Sequence, residues 1–112
     1  MQTEIEKNWK ELVPKLEKMF DASLDVQGVL FLIGVQELGQ GARPFSKSEK
    51  MDIIHIAICS ILEPFGYYEF KGNDEDGWPH FEETESLPKM NSSQQLKLIK
   101  SAILSYFENQ GV

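Results

Sequence analysis

The sequence predicts a mainly α fold, a four-helix core with a β-hairpin inserted between the third and fourth helices. Three observations lead there. Apolar side chains recur at helical spacing in successive segments. Three of those segments open on a capping signature: Thr3 with Glu6, Ser46 with Glu49, and Ser92 with Gln95. Between the last two lies GYYEFKGNDEDGWPHF, Gly66 to Phe81, where aromatic runs flank a cluster of turn formers.

The first helix is expected from about residue 4 to 21, with Ile5, Trp9, Leu12, Val13, Leu16, Met19 and Phe20 as its stripe. Pro14 lacks an amide hydrogen, so it should kink that helix or restart it; the unbroken phase of the stripe favours a kink. Ser23 or Asp25 can cap a second helix that ends near Leu38 at Gly39 and Gly41. Val26 to Leu38 is apolar nearly all round, as a central buried helix would be. A strand over Val29 to Val35 competes, but the continuation to a glycine stop favours helix.

Residues Ala42 to Phe45 read as a loop. The third helix then runs from Lys47 to Glu63, ended by Pro64 and Gly66, despite isoleucines that lean towards strand. The fourth covers about residues 93 to 108, with Leu96, Ile99, Ile103, Tyr106 and Phe107 as its stripe. The tail from Gln110 to Val112 should fray.

Length and composition bound the function. A chain of 112 residues fits one domain, and 41% hydrophobic with 26% charged residues is ordinary for a globular one. The formal charge of −7 argues against nucleic acid, whose phosphates demand a basic surface. The longest apolar run is far too short to span a membrane. Cys59 stands alone, and the N-terminus is acidic where a secretory signal would be basic, so a reducing cytoplasm is the expected compartment.

Within the aromatic stretch, Gly72 to Glu83 approximates a calcium-binding EF-hand loop, with Asp74, Asp76, Gly77 and Glu83 in register. Glycine in place of the first carboxylate and Pro79 at the eighth position spoil that match. A hairpin over about 67–83 fits better, either with Phe70 opposite Phe81 or with a tight Asp76-Gly77 turn. Tyr68, Phe70, Pro79 and Phe81 then share the face that packs on helices. Tyr67, Glu69, Trp78, His80 and Glu82 share the outer face with Lys71, and aromatics beside mixed charge make that face the candidate partner-binding surface. The string GYYEF followed by DEDGWPHF resembles one carried by a family of small, uncharacterised bacterial proteins; that resemblance implies no activity and no catalytic residue.

His55, Cys59 and Glu63 recur at intervals of four on the third helix and form the candidate metal set, with Glu37 or His80 as a further ligand. A cysteine among isoleucines is more often a small core residue. Arg43, Lys47 and Lys50 form a small basic patch beside the start of that helix. No nucleophile pairs visibly with a histidine, and no cofactor is expected. The sequence therefore points to a non-catalytic binding or protein-interaction module, with a protein partner or a second copy of itself as ligand. A small enzyme or metal-dependent protein using His55, Cys59, His80 and nearby carboxylates is the alternative.

Overall fold

The computed structural model describes residues 3–41 and 43–111. Met1, Gln2, Ala42 and Val112 lie outside that description, and with them one residue of the expected loop and the end of the tail expected to fray. Among the described residues, four α-helices and a two-stranded antiparallel hairpin follow in the order α1 (Glu4–Phe20), α2 (Val26–Leu38), α3 (Lys47–Leu62), β1 (Tyr68–Asn73), β2 (Pro79–Glu83) and α4 (Ser92–Asn109). A single 3-10 turn, Glu63–Phe65, joins α3 to β1. No helix among the described residues is long and apolar enough to cross a membrane.

The chain divides into two compact units. One is built from the chain up to Val26 and from Met90 onward, and the other is Gln27–Lys89. In the first, α1 begins at Thr3, whose hydroxyl accepts from the Glu6 amide at 3.2 Å. It remains helical through Pro14, so the proline does not restart it. Leu12 and Leu16 are buried, whereas Met19 and Phe20 at the end of the expected stripe are 62% and 48% exposed. The α4 helix contributes buried Ala102, Ile103 and Phe107, and the Lys100 ammonium lies 5.4 Å from the centre of the Trp9 ring on α1. Its cap sits one residue earlier than the sequence suggests: Asn91 and Gln94 exchange reciprocal side-chain bonds at 2.9 and 3.0 Å.

In the second unit, α2 buries Val29, Leu30, Ile33 and Leu38, and α3 buries Ile53, Ile56, Ala57, Cys59, Ile61 and Leu62. The two helices approach closely at Gly34, where any Cβ would press on the carbonyl oxygen and side chain of Ile53. The start of α3 is fixed by a reciprocal capping box: Glu49 N–H donates to the Ser46 hydroxyl, and Ser46 N–H donates to the Glu49 carboxylate. The hairpin packs against α3.

Register in the hairpin places Phe70 opposite Phe81, with ring centroids 5.6 Å apart. Lys71 is then an extra residue on β1, so Gly72 faces His80 and Asn73 faces Pro79. This bulge makes the turn a three-residue loop, Glu75 to Gly77, where unbroken pairing from Phe70 and Phe81 would leave four residues and a tight Asp76-Gly77 turn two; Asp74 N–H closes it by donating to Trp78 C=O at 2.9 Å. Gly77, with φ of 84°, supplies the left-handed residue that such a loop requires.

Candidate functional site

Within the Gln27–Lys89 unit, the hairpin tip, Gln40 and Arg43 of the connection between α2 and α3, and one face of α3 line an open cleft of about 700 Å3. Its α3 wall follows from the Ser46–Glu49 cap. Once that cap fixes the phase, Glu49, Asp52, His55 and Ile56 recur three and four residues apart and share a helix face. Trp78, Pro79, His80 and Phe81 line the cleft from the hairpin, and Gln40 and Arg43 from the connection.

Asp74 organises the hairpin tip. One carboxylate oxygen accepts from the amides of Asp76 and Trp78 at 2.9 and 3.0 Å, and the other lies 3.0 Å from His80 Nε2. The histidine contact first, then the Trp78 and Asp76 amides, hold the Asp74 carboxyl below its ordinary range. Gln40 Nε2 donates to the carbonyl of Asp76 at 2.9 Å and ties the tip to the connection. These bonds commit the Asp74 oxygens to the loop itself, which is the hairpin's arrangement rather than an EF-hand's.

Arg43 is held on both sides. Its guanidinium carbon sits 4.3 Å from the centre of the Phe45 ring, and a terminal nitrogen lies 3.2 Å from the Glu49 carboxylate. The Ser46 amide first, then Arg43, lower the Glu49 carboxyl below its usual range. Asp52 and Asp76 differ: among the described residues, neither carboxylate takes part in a hydrogen bond or an ion pair.

The residues singled out from sequence distribute over three places. Trp78 and His80, from the outer face of the hairpin, join His55, from the candidate metal set, around the one cleft. Glu69 and Glu82 instead stand directly opposite each other across the strands, and Lys71 bridges them at 3.3 and 3.5 Å. That bridge offsets the repulsion of two like charges in a cross-strand pair. Tyr67 leans on Phe65, ring centroids 6.1 Å apart.

Of the candidate metal set, His55 and Cys59 are neighbours, with Nε2 and Sγ 3.6 Å apart. Glu63 is engaged elsewhere: its carboxylate accepts from the Phe70 amide at 3.1 Å. Cys59 is fully buried, and that burial pushes its thiol up to about 11. Among the described residues, no three His, Cys, Asp or Glu side chains form a group able to hold a metal ion.

Gln40, Glu49 and Asp52 were not legible as site residues. Their only signal was the capping box and the Glu49–Asp52–Ile56 spacing, which acquires meaning once the hairpin is known to pack against that face of α3. No protein-family model matches the chain, and neither does any curated protein or solved structure.

Proposed function

We propose that this chain is a non-catalytic protein-interaction module that engages its partner at the cleft between α3 and the hairpin tip. The observation that carries this reading is the composition of the cleft. Half-buried Trp78 and the apolar Pro79 and Phe81 share it with two unpaired carboxylates, Asp52 and Asp76. An aromatic anchor beside polar groups without internal partners is the chemistry of recognition surfaces.

Photo-crosslinking in the native cell tests it. A photoreactive residue in place of Glu75, at the exposed hairpin tip, should give adducts with a protein, and the same residue in place of Lys7 on α1 should not. Adducts of twice the chain's own mass would identify a second copy as the partner. An absence of adducts from Glu75 would sink the reading.

The contact between His55 and Cys59 favours a second reading, a metal-dependent or acid–base protein. Against it stand the burial that holds the thiol at about 11, which makes Cys59 a poor nucleophile near neutral pH, and, among the described residues, the lack of a third ligand beside the His55–Cys59 pair. Metal analysis of tag-free protein separates the two. Stoichiometric zinc that disappears in Cys59→Ser would favour the second reading.

A further inference from the structure

Four carboxylates, those of Glu49, Asp52, Asp74 and Asp76, line the cleft against the single guanidinium of Arg43. Glu49 is paired with Arg43 and Asp74 is committed to the hairpin loop and His80. The charge that remains without an internal partner is carried by Asp52 and Asp76.

The molecule itself displays the group that suits such a wall. Arg43 places a planar cation between an aromatic ring, Phe45, and a carboxylate, Glu49. Trp78 with Asp52 and Asp76 repeats those ingredients in the same cleft, but no side chain of the described residues pairs with the two acids. Tryptophan is the strongest aromatic partner for a cation. A guanidinium also presents several donors in one plane, so it can meet carboxylates at its edge while its face lies on a ring; a lysine ammonium is a point charge without that face.

From this repetition we infer that the cleft receives an arginine side chain carried on an exposed segment of a protein partner, with its guanidinium paired to Asp52 and Asp76 against the Trp78 ring. The inference rests on the interaction-module reading and names the chemistry of its ligand. Charge complementarity selects the occupant: anionic ligands meet the excess of carboxylates, and a purely apolar segment would leave Asp52 and Asp76 desolvated without partners.

The test uses the full chain and two capped tripeptides, Gly-Arg-Gly and its counterpart with citrulline, which keeps the shape and removes the charge. Nuclear magnetic resonance titration should show the arginine peptide shifting the Trp78 indole and the Asp52 and Asp76 amides, with a dissociation constant on the order of millimolar for so small a probe. The citrulline peptide should bind about fivefold more weakly or worse, as should the arginine peptide with the double variant Asp52→Asn, Asp76→Asn. Both acids are exposed, so the double variant should keep its fold, and its spectrum checks that directly. Equal binding of the citrulline peptide, or no shift from the arginine peptide up to about 10 mM, would overturn the inference. If adducts still form from the Glu75 position while the peptide fails, only the arginine assignment falls; loss of those adducts removes the module reading itself.

Discussion

Asp74 is the residue on which the shape of the hairpin tip depends. Its carboxylate accepts two backbone amides and contacts His80, and these interactions favour the charged form. Because its folded-state pKa is depressed, its contribution to stability is complete above the ordinary value of 3.8 and is lost as pH falls through the lower folded value. Acidification below about pH 4 should therefore loosen the tip, read as faster exchange of the Asp76 and Trp78 amides relative to those of α3. Asp74→Asn keeps an oxygen for the two amides but cannot ionise, so it should flatten this acid dependence. An unchanged profile in that variant would assign the loosening to another group. The residue's importance was legible only in part: Asp74 is visible as turn chemistry, but its partnership with His80 depends on a bulge at Lys71 that period-two alternation does not announce.

At the scale of elements, α2 and α3 approach closely where Gly34 meets Ile53. Gly34→Ala adds only a methyl group and would ordinarily favour a helix. Here the methyl presses on Ile53 backbone, which cannot swing away, so overpacking should dominate and cost about 1–3 kcal/mol. Denaturant midpoints measure it, and a stabilised variant would contradict the close approach. Ile33→Ala on the same helix should cost about 2–5 kcal/mol by leaving a cavity, since Ile33 is 1% exposed. The helices themselves were readable from capping and periodicity, because both are local: α3 begins at the expected Lys47 behind its Ser46 cap, and α2 ends at the expected Leu38. The errors fall where two local solutions are nearly equal. Asn91 with Gln94 offers the same reciprocal bonds as Ser92 with Gln95, and the asparagine cap is the one formed. Met19 and Phe20 keep helical phase but lie exposed at the end of α1, since periodicity gives a face and not how far that face is covered.

For the whole molecule, the two-unit division left no trace in composition. The first unit takes one helix from each end of the chain, so no Pro- or Gly-rich linker of the usual kind marks it. The candidate site was half-readable for a related reason. Trp78 and His80 stand out within sixteen unusual residues, whereas Gln40 and Asp52 reach the same cleft from distant positions and are ordinary in their local context. The charge balance argues against a nucleic-acid partner but says nothing of where the acids gather; four of them line the cleft.

The binding account stands or falls on Trp78, which is half-buried at the cleft rather than part of the buried set. The most direct measurement pairs thermal or denaturant unfolding of Trp78→Ala with capture of the partner that crosslinks from the Glu75 position. The account predicts a stability loss below about 2 kcal/mol together with a clear loss of capture. Undiminished capture, or a loss well above about 2 kcal/mol that marks Trp78 as a core residue, would contradict it.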